Sequence, residues 1–183
     1  MAKIDLPDNI LNALSTVLLQ LQQSLPELKQ SPDFSAYAYK WQAGELKPIH
    51  QLKQIELADL KGIERQKEKV IQNTLQFLKG LPANDVLLTG SRGTGKSSIV
   101  RALLTEYADQ GLRLIEIERD DLSDLPQIQQ LIAGRPEKFI VYCDDLAFNA
   151  EDENYRSLKS VLDGSLQSGS SNFVIYATSN RRH

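Results

Sequence analysis

The chain has 183 residues, 41% of them hydrophobic and 25% charged, with a formal net charge of −3. Those values sit near the averages for globular proteins and exclude a disordered or collagen-like chain, and the near-neutral balance gives no general attraction to nucleic acid or anionic lipid. The one cysteine, Cys143, excludes an internal disulfide, and neither a signal peptide nor a bilayer-spanning run is visible, so a cytoplasmic protein without a membrane partner is expected.

Asp8 is a candidate helix N-cap, and after it Ile10, Leu11, Leu14, Val17, Leu18 and Leu21 recur at amphipathic-helix spacing. Packing of that face on the protein's own core is favoured over docking of a partner. Pro26 and Pro32 interrupt the pattern. Tyr37, Tyr39 and Trp41 then alternate with Ala38 and Lys40 at the period of a strand. With Lys40 as the one cation among them, packing is favoured over stacking on single-stranded nucleic acid. Residues 44–48 are expected to be a linker. Residues 60–78 are expected to form a helix and its lead-in, with Ile63, Val70, Ile71, Leu75 and Leu78 as its apolar face. Lys61, Arg65, Lys67, Lys69 and Lys79 fall on a face expected to be solvated.

Beyond Pro82 short apolar strands alternate with helices. Strands are expected at 85–89, 112–117, 139–143 and 173–177. Helices are expected at 97–107, around Leu131 and Ile132, and within 151–166, where Tyr155, Leu158, Val161 and Leu162 form the core face. That order predicts an α/β fold with a parallel sheet flanked by helices. The expected division is a helical and aromatic N-terminal segment, 1–59, followed by an α/β core, 60–183.

Gly90, Ser91, Arg92, Gly93, Thr94, Gly95, Lys96 and Ser97 fit the pattern G-x-x-x-x-G-K-[ST], between an expected strand and an expected helix. A backbone that turns its N–H groups inward around a phosphate crowds any Cβ, which is why glycines are needed there. The helix that follows, through Ser98, adds free N–H groups and the positive end of its dipole. Lys96 is placed to reach the β- and γ-phosphates, and the Ser97 hydroxyl to ligate Mg²⁺. A nucleoside triphosphate, with ATP and Mg²⁺ as the expected ligands, follows from this loop.

Two further strand ends belong with it. The strand at 139–143 runs into Asp144 and Asp145, and ligands of an open parallel sheet collect at that edge. Asp144 is expected to hold Mg²⁺, directly or through water, and Asp145 to act as general base on the attacking water. Aspartate is one methylene shorter than glutamate, so the water would have to sit closer to the strand. The strand at 173–177 runs into Thr178, Ser179 and Asn180, where the Asn180 amide is expected to orient that water or sense the γ-phosphate.

This series resembles the AAA+ superfamily of P-loop ATPases: residues 90–97 look like its Walker A motif, the strand ending in Asp144 and Asp145 like Walker B, and Asn180 like sensor 1. Leu60, Lys61, Gly62 and Ile63 resemble the segment that packs on adenine, which implies Gly62 and Ile63 as base contacts. The run from Gly62 to Lys67, that from Gly80 to Asn84 and that from Ala177 to His183 are similar to the bacterial domain-of-unknown-function family 815 of predicted ATPases. AAA+ modules continue past sensor 1 with an arginine finger, a fifth strand and a helical lid. Against that pattern the chain looks truncated after sensor 1, its core incomplete and its lid absent. The missing strand would flank the phosphate-loop strand, whose edge is therefore expected to be bare.

The leading expectation is an ATP hydrolase of AAA+ type. It would couple ATP binding and hydrolysis to work on a protein or nucleic-acid client and associate with copies of itself, with weak turnover in this form. Arg181 and Arg182 are candidate contacts in such an assembly. The alternative is a nucleotide-gated adaptor that binds ATP without significant hydrolysis.

Overall fold

In the computed structural model, which describes residue 10 and residues 15–17, 32–146 and 172–180, the apolar runs are strands of one sheet. They are β1 (Ala38–Gln42), β2 (Glu45–Ile49), β3 (Val86–Thr89), β4 (Leu112–Ile117), β5 (Lys138–Cys143) and β6 (Phe173–Ser179). The helices of the sheet-bearing part are α1 (Glu64–Leu78), α2 (Lys96–Tyr107) and α3 (Leu125–Ile132). The chain divides into two compact units, Met1–Ser31 and Pro32–His183. In the first, residues 10 and 15–17 are helical. The rest of the expected N-terminal helix, the expected helix at 151–166, and Arg181, Arg182 and His183 lie outside the described residues. Among those described, no helix is long and apolar enough to cross a membrane.

The strands lie in the order β2-β1-β4-β5-β6-β3, and every neighbouring pair is parallel except the β1–β2 hairpin. Burial on both faces explains why β5 and β6 read as unbroken apolar runs. One face carries Tyr39, Trp41, Ile115, Ile117, Phe139, Val141 and Ile175 under the Leu125, Ile128 and Ile132 stripe of α3. The other carries Ala38, Leu114, Ile140, Val174 and Tyr176 under Val70 and Phe77 of α1 and Ile99, Val100 and Leu103 of α2. Successive residues of a strand alternate between the two cores, as the two-residue period requires.

Residues 44–48 are not a linker. Ala43 and Gly44 have φ of 52° and 77°, so a two-residue turn folds Glu45–Ile49 back on β1 with Trp41 opposite Leu46. Pro48 cannot donate to a ladder, but among the described residues β2 is an outer strand, where proline is tolerated. Tyr39 and Trp41 are fully buried, and Trp41 Nε1 donates to Asp124 Oδ2 at 2.9 Å. Tyr37 instead lies exposed against the Arg113 guanidinium. The expected packing role therefore holds for two of the three aromatics.

At the opposite margin β3 pairs, among the described residues, with β6 alone, Val86 facing Tyr176 and Thr89 facing Ser179. The expected edge position of this strand is thus observed. Beside it, side chains of α1 grip β6: the Thr74 hydroxyl donates to the Val70 carbonyl at 2.8 Å and lies 2.8 Å from the Tyr176 hydroxyl, while Asn73 Nδ2 donates to Tyr176 at 3.0 Å.

Candidate functional site

The loop from β3 to α2 takes its shape from three glycines in conformations that L side chains rarely adopt. Gly90, Gly93 and Gly95 have φ of 150°, 80° and 84°. A Cβ on Gly95 would stand 3.3 Å from Ile63 Cδ1, so that position is closed by contact as well as by conformation. Gly95 caps α2, whose ladder begins with Ile99 N–H donating to the Gly95 carbonyl at 3.0 Å. The N–H groups of its first turn stay open, the arrangement that receives anions at helix starts. The loop is anchored by Gly90 N–H donating to the Ser179 carbonyl at 3.2 Å and by Thr94 Oγ1 donating to the Ser91 carbonyl at 2.8 Å.

Lys96 lies back along the loop, its Nζ donating to the Gly90 and Ser91 carbonyls at 2.8 Å each and to Asn180 Oδ1 at 3.0 Å. The Asn180 amide in turn donates to Asp145 Oδ1 at 2.6 Å. One relay therefore joins the ends of β3, β6 and β5. Asp145 has a φ of 53°, a left-handed conformation that aspartate tolerates better than most residues. Its N–H donates to Thr178 Oγ1 at 2.9 Å and Asp144 Oδ1 at 3.1 Å, and Leu146 N–H donates to the Thr178 carbonyl at 2.7 Å. These bonds hold the turn after β5 against β6.

Ser97 Oγ donates to both oxygens of Asp144, at 3.0 and 3.2 Å, and Thr178 Oγ1 donates to Asp144 Oδ1. Burial by itself would raise the Asp144 carboxyl. The hydroxyls of Thr178 and Ser97, the nearby Tyr142 hydroxyl and the Asp145 N–H outweigh it and hold the group below the usual carboxylate range. Cys143, beside it in sequence but on the other core face, has its thiol pushed by burial up to about 12, so it is no nucleophile at neutral pH.

An open cleft of about 280 Å³ is lined by Arg92, Gly93, Gly95, Lys96, Ser97, Ser98, Asp144, Asp145 and Asn180. Most of the residues singled out in the sequence thus meet at one place. Gly62 and Ile63 come from the start of α1: Gly62 has a φ of 77° and its N–H donates to Glu64 Oε1 at 2.9 Å, while Ile63 reaches over Gly95. Among the basic residues of this segment, Lys61, Arg65, Lys69 and Lys79 are exposed as expected. Lys67 is not simply solvated, because its Nζ donates to the Leu57 and Leu60 carbonyls at 3.0 and 3.1 Å and fastens the lead-in to α1.

Two residues of this region were missed in the sequence. Thr178, 1% exposed, braces both Asp144 and the turn at Asp145. Tyr142 points to the same side of β5 as Asp144. A polar residue at the end of an otherwise apolar strand was the available signal for both.

Residues 34–183 match the family model described as "Protein of unknown function (DUF815)". The chain belongs to that family. A comparison with curated proteins gives no match. Among solved structures the chain is similar to PCH-2 of C. elegans, at 18% identity and a TM-score of 0.50, covering 71% of this chain and 40% of that one. It is also similar to DnaI, at 17% identity and a TM-score of 0.49 over 80% and 77% of the two chains. A third is the Thermotoga maritima RuvB Holliday junction branch migration motor, at 16% identity and a TM-score of 0.45 over 69% and 41%. The chain thus spans well under half the length of PCH-2. Identities so low bear on fold alone, and the fold shared with PCH-2 is a mostly parallel sheet flanked by helices.

Proposed function

We propose that this member of the DUF815 family binds ATP with Mg²⁺ in the cleft at Lys96 and hydrolyses it to drive work on a macromolecular partner. The observation that carries the reading is the convergence of Lys96, Ser97, Asp144, Asp145 and Asn180 on one glycine-lined cleft. The residues fit the ligand: the left-handed glycines make a cradle that a Cβ would fill, and α2 presents open N–H groups to anionic oxygens. Ser97 and Asp144 offer oxygen donors only, the chemistry that suits Mg²⁺, and two protein groups suffice for an ion that keeps waters and takes phosphate oxygens. When bound, Mg²⁺ supplies charge neutralisation along the phosphates.

In this reading a bound triphosphate draws Lys96 Nζ away from the Gly90 and Ser91 carbonyls. Asn180 loses one partner and keeps Asp145. Asp145, which projects from the strand end into the cleft, takes a proton from the attacking water. Gly62 and Ile63 lie beside the loop where the base would rest. Self-association and a protein or nucleic-acid client belong to the same proposal.

The test is phosphate release from ATP by the wild type and by Asp145→Asn, with and without DNA. Asparagine tolerates the left-handed backbone, so the turn is kept while the base is lost. The proposal requires turnover to fall by about 100-fold or more, the usual scale for removing a general base, with ATP still bound. ATP binding with no phosphate release above background by either protein would instead favour a nucleotide-gated adaptor.

A further inference from the structure

Asp144 is served unevenly by its neighbours. Oδ1 accepts from Ser97, from the Asp145 N–H and from Thr178, whereas Oδ2 accepts, among the described residues, from Ser97 alone at 3.2 Å. Next to it stands Tyr142, two residues earlier on β5 and therefore on the same face of the sheet. The residue is 2% exposed, and among the described residues its hydroxyl has no hydrogen-bond partner. One cleft is lined by both Tyr142 and Asp144, so that hydroxyl stands beside the carboxylate. Buried hydroxyls are nearly always paired, and leaving one unpaired costs about 1–3 kcal/mol, so an orphan facing a candidate metal carboxylate calls for a partner.

We infer that Tyr142 is a positioning residue for the Mg²⁺ carboxylate, its hydroxyl donating to Asp144 Oδ2 or pairing with a metal-bound water once Mg²⁺·nucleotide is in place. The inference rests on the ATP reading above and adds to it a residue outside the phosphate-loop and strand-end motifs. A phenol carries its proton at neutral pH, so the Tyr142 hydroxyl can donate. The same cleft carries Lys40, paired with Glu118 at 2.7 Å, Arg101, paired with Glu116 at 3.5 Å, and Arg119.

The experiment is a Mg²⁺ titration of ADP and ATP binding by the wild type and Tyr142→Phe, with parallel titrations in EDTA and thermal unfolding of both unliganded proteins. Phenylalanine keeps the ring and removes only an unpaired hydroxyl, so unliganded stability should hold or rise. The Mg²⁺ concentration for half-saturation should rise about three- to tenfold, the scale of one hydrogen bond, with binding in EDTA unchanged. Unchanged Mg²⁺ dependence, or equal weakening with and without Mg²⁺, overturns the role. If the variant does not fold, the wild-type tyrosine Cζ resonance serves: it should move on adding Mg²⁺·ADP and not with ADP in EDTA, and no Mg²⁺-dependent movement overturns the role. A wild type that binds no nucleotide under either condition overturns the ATP reading itself, a separate outcome.

Discussion

The Asn180 side-chain amide donates to Asp145 across 2.6 Å, and the carbonyl of the same side chain accepts from Lys96. The ends of β5 and β6 thereby share one bond network with the phosphate-loop lysine. An amide that holds the proposed base on one side and meets Lys96 on the other is placed, in the proposed reading, to report what the lysine binds.

Asn180→Ala should therefore separate turnover from affinity. It removes the orienting bond to Asp145 and leaves the loop and α2 untouched. Steady-state ATP hydrolysis is expected to drop about 10- to 100-fold while ATP affinity stays within about threefold, the pattern of an interaction made mainly in the transition state. Phosphate-release kinetics beside calorimetric binding check both halves.

Gly95→Ala tests the loop by conformation. The new Cβ would sit at a φ of 84° and 3.3 Å from Ile63 Cδ1. A left-handed alanine costs about 1–2 kcal/mol, and relieving the contact displaces Ile63 or the first turn of α2. The expected result is an unfolding free energy lower by about 1–2 kcal/mol and nucleotide affinity reduced at least about tenfold. Denaturant melts and equilibrium titration give the two numbers.

Glu137→Gln carries a pH signature away from the site. Arg135 donates to both Glu137 oxygens, at 3.1 and 2.8 Å, and its guanidinium lies 3.8 Å from the centre of the Phe34 ring. The Arg135 hydrogen bond, which outweighs burial, holds the Glu137 carboxyl below its ordinary 4.5. A carboxyl depressed on folding stabilises the protein above its unfolded pKa and loses that contribution as pH falls through the folded value. The variant should be less stable by about 1 kcal/mol at pH 7, and the difference should shrink steadily below about pH 4. Urea melts across pH 3–7 test this.

How much of this was legible in the sequence depended on whether the signal was local. Residues 90–97 were readable because a loop turning through positive φ dictates glycine at particular backbone positions, and residues 139–143 because strands buried on both faces show unbroken apolar runs. The turn at Ala43 and Gly44 was not, because alanine at positive φ carries no signature and Pro48 reads as a breaker unless its strand is known to be an edge. Long-range pairings were equally silent. Trp41 finds Asp124 across 83 residues, and Thr178 finds Asp144 across 34. Lys67 looked like one more solvated cation because its two acceptors are backbone carbonyls, which every sequence has everywhere.

The most direct test of the account is equilibrium binding of ATP, with Mg²⁺, to the wild type and to Lys96→Ala. Among the described residues Lys96 joins the loop carbonyls to Asn180, and in the proposed reading it is the principal point charge on the phosphates. The account predicts saturable binding by the wild type and affinity at least about 30-fold weaker in the variant, with the unliganded fold retained, since a charge-assisted contact contributes about 1.5–3 kcal/mol. Equal binding by the two proteins, or none by either, would contradict it.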